Sequence, residues 1–347
     1  MRGARTIVLV ATALLLAAWH STAFASYPGR NGALLGSYSD CDTPTSGGCE
    51  GFSYRRLEAF RTDGTRPRAN QIADDFSDPV WSADGHRLAA RLELDLSSND
   101  PSAGPSFAPR PGIYVIQSRA VFGPRANQPR PIGTMVPGTD NATSPSWSPD
   151  GQRLAFTERT PSETSGLYTA KLDGSDRRLL ATSAYSPVWG PRGTIAYTRS
   201  TRTRANLHLI EQDGGRDRAL TFRGGGSPAW SPTGRRLVFY RDGALYLIGV
   251  RGGQPHRLVR NATQPQWSPD GRLIAFGRFL PSPDPNCDID GEDCGSTALF
   301  VVKPNGKDVQ PVRDRAKRAG KRSRRPILLE TLEDWRPLPV PTDPAGP

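Results

Sequence analysis

Short apolar runs recur along the chain, and turn residues separate them. In the stretch that begins at Trp230 they fall at 237–240, 244–250 and 255–259, with Gly, Pro or Asp in the gaps. Runs of this length, bounded by such residues, predict the strands of an antiparallel meander. The same order follows Trp147, with runs at 154–156, 167–172 and 178–180, and Trp189, with 195–197, 206–210 and 219–221. It follows Trp267 too, with 273–276, 298–302 and 309–312. No stretch outside the N-terminus carries the period of an amphipathic helix, so the pattern predicts an all-β chain.

One motif opens each of these units. Ser144-Pro-Ser-Trp-Ser-Pro-Asp-Gly151 is matched by Asp78-Pro-Val-Trp-Ser-Ala-Asp-Gly85, Ser186-Pro-Val-Trp-Gly-Pro-Arg-Gly193, Ser227-Pro-Ala-Trp-Ser-Pro-Thr-Gly234 and Gln264-Pro-Gln-Trp-Ser-Pro-Asp-Gly271. A shortened version, Glu333-Asp-Trp-Arg-Pro337, stands near the C-terminus, and of the seven Trp only Trp19 lies outside the motif. From Trp147 to Trp267 the Trp spacings are 42, 41 and 37, one unit per blade of a repeat array. The longer gaps, 66 before Trp147 and 68 before Trp335, hold insertions around 96–110, 118–128 and 281–296. Inside the motif Pro fixes φ at the first corner and Gly supplies the positive φ that closes a tight hairpin. The Trp, large and apolar with one N–H to satisfy, suits the wedge between neighbouring sheets.

The two ends of the chain complement each other. Trp335 opens a unit with twelve residues left, while residues 27–36 read as a turn and second strand that lack a Trp strand before them. Residues 56–60 and 67–72 read as third and fourth strands. The expectation is a six-bladed β-propeller over residues 26–347, its closing blade taking the inner strand from the C-terminus and the other three from the N-terminus. Such a closure leaves no unpaired edge at the seam.

Pro-x-Trp-Ser-Pro-Asp-Gly followed by Leu-Ala-Phe, Leu-Tyr and Asp-Gly resembles the PD40 (WD40-like) repeat of the TolB-type β-propellers. It is also similar to the propeller of prolyl-oligopeptidase-type proteases. The resemblance spans about residues 27–337 and implies a fold, which hosts many activities. TolB carries an α/β domain before its propeller and the proteases an α/β-hydrolase domain; here neither is expected. There is no Gly-x-Ser-x-Gly elbow, so nucleophile chemistry of that kind has no seat.

The N-terminus sets the compartment. Arg2 and Arg5, the apolar run 7–19 and Ala23-Phe-Ala25 predict a signal peptide over residues 1–25, cleaved before Ser26 or retained as an anchor. The protein is therefore expected outside the cytoplasm of a bacterium, secreted or periplasmic. Loss of Arg2 and Arg5 takes the formal charge from +11 to +9, that is 11 minus 2. In an exported chain the close pairs Cys41 with Cys49 and Cys287 with Cys294 predict two local disulfides.

Three groups are candidates for binding. The residues that lead each outer strand into the next inner strand, Asp78, Ser144, Ser186, Ser227, Gln264 and Asp334, are expected to ring the channel mouth. They would make a pocket for a peptide, a small polar ligand or one cation. The run Arg313, Arg315, Lys317, Arg318, Lys321, Arg322, Arg324, Arg325 reads as a solvated, mobile loop. It would attract anionic wall polymers or lipid headgroups; no aromatic residues interleave it, so nucleic acid is not an expected partner. Asp288, Asp290 and Glu292, between Cys287 and Cys294, have oxygen ligands for Ca²⁺ but not EF-hand spacing, and no other cofactor is indicated. His86, His208 and His256 fall in different units, so neither zinc nor His-based catalysis is expected. The reading that results is an exported, monomeric, non-catalytic propeller that binds a protein or peptide of the cell envelope. The alternatives are a metal-dependent enzyme of lactonase or lyase type at the channel face, or the accessory propeller of a separately encoded peptidase.

Overall fold

A computed structural model of the chain describes residues 24–25, 27, 29–41, 44–45, 48–49, 53–63, 76–92, 110–118, 133–160, 164–281, 295–313, 317–318, 321–322, 327–329 and 331–338. Five sheets are built alike, each a meander of four consecutive antiparallel strands. The Trp147 blade, for example, runs Thr143–Trp147, Arg153–Arg159, Ser165–Lys171 and Arg178–Thr182. The other four complete blades open on Phe76–Trp81, Ala184–Trp189, Gly226–Trp230 and Thr263–Trp267. Every predicted Trp in these blades thus lies on an innermost strand. Among the described residues no helix is long and apolar enough to cross a membrane.

The two end segments of the chain pair, but in a smaller sheet than a full blade. Thr331–Leu338 pairs antiparallel with Arg30–Cys41, with Leu34 opposite Trp335, and Arg30–Cys41 pairs in turn with Ser53–Phe60. Among the described residues this sheet has three strands, against the four expected, so five complete blades are described rather than six. The predicted fourth strand, 67–72, lies outside the described residues. Thr331–Leu338 touches the inner strands Thr263–Trp267 on one side and Phe76–Trp81 on the other.

The core sits between the sheets. Each Trp of the motif is at most 3 % exposed and packs on the sheet that precedes it. Trp147 clusters with Val80, Ala89 and Ile113 of the Trp81 blade, and Trp230 with Val188, Ala196 and Leu207 of the Trp189 blade. In these two the indole N–H is satisfied across the same seam: Trp147 Nε1 donates to the Val80 carbonyl and Trp230 Nε1 to the Val188 carbonyl, both at 3.0 Å. Trp81 packs likewise on Ala33, Leu35 and Ala59 of the three-stranded sheet, and Trp335 on Ala275, Leu299 and Val301 of the Trp267 blade. Truncating a buried Trp of this kind costs about 3–5 kcal/mol.

After each Trp the chain reverses through the predicted turn. In the Trp147 blade the Ser148 hydroxyl donates to Asp150 Oδ1 at 2.6 Å, which also accepts the Gln152 amide, and Gly151 takes φ 66°. Ser82 with Asp84 and Ser268 with Asp270 repeat the bond. The polar residues of the motif therefore build the hairpin that aims the next strand outward.

Candidate functional site

The innermost strands surround a channel, and the chain's own N-terminal segment lies in it. Phe24–Ala25 pairs in parallel with the free inner edge of Gly226–Trp230, Phe24 opposite Ala229 and Ala25 opposite Trp230. The segment also touches the inner strands of the Trp147 and Trp189 blades. Two residues on, Tyr27 is 3 % exposed, and its hydroxyl is shared between the Trp147 carbonyl and the Trp189 carbonyl, the latter at 3.3 Å. Burial, helped by the charges of Asp334 and Asp150, pushes the Tyr27 phenol well above its ordinary pKa, so it stays a neutral donor. The Gly29 amide then bonds the Pro269 carbonyl, and the chain enters strand Arg30–Cys41. Because the pairing is parallel, the segment enters at the end where the outer-to-inner connections lie and leaves at the end of the post-Trp turns. Tyr27 has no counterpart in the repeat, so no periodicity could have marked it.

The six residues expected to ring the mouth fall into two positions. Asp78, Ser144, Ser186, Ser227 and Gln264 lie three before their Trp, with φ between 48° and 51°. Each sits where the pairing of the inner strand skips residues, a bulge that recurs from blade to blade. Asp334 lies one before Trp335 instead. The carboxylates are not open to the channel: Asp78 is 6 % exposed and Asp334 1 %. Asp78 Oδ2 accepts the Ser144 amide of the next blade at 3.0 Å, and Gln264 Oε1 accepts the Leu332 amide at 3.0 Å. A second tier lies one residue before the Trp. Ser146 Oγ accepts the Trp189 amide at 2.9 Å, and Asp334 Oδ2 accepts the Trp81 amide at 2.8 Å while its Oδ1 takes the Trp335 amide. These side chains latch neighbouring inner strands by capping their backbone N–H groups.

The remaining sequence candidates are scattered. Lys317–Arg318 and Lys321–Arg322 form a two-stranded ribbon, Lys317 opposite Arg322, so at these positions the basic run is paired backbone rather than an unstructured loop. Arg313 stands exposed after Val312, and Arg315, Arg324 and Arg325 lie outside the described residues. The same is true of Cys287, Cys294, Asp288, Asp290, Glu292 and the signal segment up to residue 23, and of the side chains of Cys41 and Cys49. Among the described residues no three His, Cys, Asp or Glu are grouped for a metal ion.

One titratable cluster was missed. Asp217 accepts the Tyr197 hydroxyl at 2.9 Å, contacts His208 Nδ1 at 3.2 Å and pairs with Arg199 at 2.7 Å. Burial lowers the His208 pKa against the pull of Asp217. Burial opposes the Asp217 carboxylate, but bonds from Tyr197 and His208 and the charge of Arg199 outweigh it and hold its pKa low. Adjacent strands bring Tyr197 and His208 face to face, a pairing readable only once the register is known.

No family model matches the chain. A protein TolB homolog of Chlorobium luteolum is 30% identical over 211 residues, 57% of this chain and 46% of that one. The uncharacterized peptidase YuxL of Bacillus subtilis is 28% identical over 208 residues, 47% of this chain and 29% of that one. The chain thus spans less than half the length of either curated relative. Among solved structures, TolB from Acinetobacter baumannii superposes with a TM-score of 0.60 over 90% of this chain and 68% of its own, at 16% identity. Taken with the repeated Trp motif and the arrangement of sheets, these likenesses make the fold of this chain a TolB-like β-propeller.

Proposed function

We propose that this chain is an exported, non-catalytic propeller of the bacterial envelope whose channel accepts an extended peptide segment of a protein partner. The observation that carries the reading is the parallel pairing of Phe24–Ala25 with Ala229 and Trp230, anchored by Tyr27. A channel edge that pairs with one extended strand has the backbone donors and acceptors to pair with another, the mode of β-strand addition. Phe222, 76 % exposed on the connection into Gly226–Trp230, offers an apolar contact at the end where such a strand enters. Cleavage of the signal before Ser26 would take away Phe24 and Ala25 and leave that edge for the partner. The three-stranded sheet serves as the closing sixth blade in this reading. Its support is the contact of Thr331–Leu338 with the inner strands on both sides and the latches through Asp334 and Gln264.

The test is capture from envelope extract, with a free peptide of the sequence of residues 24–30 as competitor. A partner retained by the protein and released by that peptide is the expected result. Capture that the peptide leaves intact would move the site off the channel, and no capture at all would sink the reading. Likeness to the Bacillus peptidase favours a second reading, a propeller that works beside a peptidase. A hydrolase as the captured protein would decide for it.

A further inference from the structure

Between the Trp189 and Trp230 blades, at the end of the post-Trp turns, lies a cleft of about 690 Å³. Its floor is apolar, with Leu209, Ile210 and Trp230, and its rim carries Arg192, Arg216, Arg218, Arg235 and Arg251. The one carboxylate in the lining, Glu211, is already engaged by Arg216 at 3.1 Å. Two guanidiniums are held across the seam: Arg192 Nε donates to the Thr233 carbonyl at 3.1 Å, and Arg218 donates to the Val250 carbonyl. Arg235 and Arg251 make no such bond to the described residues.

The repeat places the same positions in the neighbouring Trp147 blade. At the matching places of the Trp147 blade stand acids. Asp150, in the post-Trp turn, corresponds to Arg192, and Asp176, after the third strand, corresponds to Arg216; Asp176 and Arg216 even share φ 51°. Asp176 neutralises Arg153 and Arg178 of its own blade, whereas no acid stands at its place beside Arg218. The turn itself differs. The Gly190 amide bonds the Thr194 carbonyl, one residue tighter than the Ser148-to-Arg153 closure, and Ser is replaced by Gly190. A Cβ at residue 190 would lie 2.6 Å from Trp230 Cε2, so only Gly lets that indole form the floor. The Trp230 blade also lacks the turn acid, with Thr233 in its place. Glu211 in turn stands where the Trp147 blade has Lys171, so the matched positions 192, 211, 216 and 218 carry three arginines and one acid here, against two acids and two bases there, and a cleft of ligand size lies at this seam.

We propose that this cleft binds a small ligand carrying two or more oxyanionic groups, carboxylate or phosphate, against an apolar body. Guanidinium forks grip either group through paired N–H donors, and five of them around one space attract an anion strongly while it is empty. The proposal does not depend on the channel reading.

Calorimetric titration of the full chain with inorganic pyrophosphate and, separately, citrate tests it and tells the two chemistries apart. One-to-one saturable binding of at least one probe, with Kd below ~1 mM, is expected. The double variant Arg192→Asp, Arg216→Asp, which restores the acids of the Trp147 blade, should weaken that binding at least ~10-fold. Arg202→Asp with Arg223→Asp changes the net charge equally on exposed sites elsewhere and should leave it within about twofold. Equal losses in the two double variants would reduce the effect to the general positive field and overturn the proposal. So would failure of both probes to saturate.

Discussion

At the scale of the residue, Asp334 shows how much one side chain can hold. It is a buried carboxylate that caps its own Trp335 amide at 2.7 Å and the Trp81 amide of another sheet at 2.8 Å. Asp334→Ala removes the carboxylate acceptor of two buried N–H groups, each bond worth about 1–3 kcal/mol. The expected loss is roughly 3 kcal/mol, read as a fall in Tm of about 4–5 °C, and Asp334→Asn, which keeps one acceptor oxygen, should lose less than half of it. A carboxylate that merely lined a water-filled channel would give almost no change. The Asp217 cluster carries a pH prediction. The His208 pKa is depressed below 6.5 in the fold, so its contribution is full above that value and is lost as the pH falls through the folded pKa. Asp217 is held below 3.8 and its contribution is lost further down, in the same direction. Urea midpoints followed from about pH 8 to about pH 5 should therefore fall on acidification, and His208→Gln should flatten that first decline. A midpoint that rises toward acid would contradict the assignment.

At the scale of the element, the hairpin after each Trp was legible in the sequence because its chemistry is local. Pro, Asp and Gly at fixed offsets state a turn whatever surrounds them, and the bonds of Ser268 and Asp270 repeat those of Ser148 and Asp150. Gly271 isolates the backbone part of that turn. It holds φ 71°, and a Cβ there would meet nothing nearer than Pro232 Cδ at 3.8 Å. Gly271→Ala should thus cost about 1–2 kcal/mol through backbone strain alone, and Gly271→Asn less, since Asn tolerates the left-handed region. Equal losses would mean that packing, not φ, sets the cost. What lies between elements was not legible. Asp78 and Asp334 looked like one ring of channel residues, but the bulge three before each Trp separates the two positions and turns both carboxylates into latches. The replacement of Asp by Arg192 is plain in the motif, yet its nearness to Arg216 and Arg218 needs the strand order of its own blade, and its nearness to Arg235 and Arg251 the packing of two blades.

At the scale of the whole molecule, one strand joins the two ends of the chain. Thr331–Leu338 pairs with a strand some 300 residues away in sequence, as the Trp335 Nε1 to Gly32 carbonyl bond illustrates. It also accepts or donates the latches to Trp81 and Gln264 on its two flanks. The complementarity of the ends was readable because a unit without its Trp strand and a Trp strand without its unit can only be partners. The occupied channel was not, since Tyr27 belongs to no repeat and its acceptors are the backbone carbonyls of Trp147 and Trp189. If the closure governs cooperativity, removing residues 331–347 should do more than subtract one strand. It exposes the edge of Arg30–Cys41, opens the cluster around Leu34 and Ala275, and strips an acceptor from the buried Trp81 amide. A free edge of that kind is a template for pairing with other chains. The shortened chain is therefore expected to unfold in a broad, non-two-state transition and to elute as oligomers, while addition of a peptide of residues 331–338 restores a single cooperative transition. A shortened chain that stays monomeric with an unchanged, sharp transition would show that five blades stand without the clasp, and that closure through the termini is not what holds the sheets together.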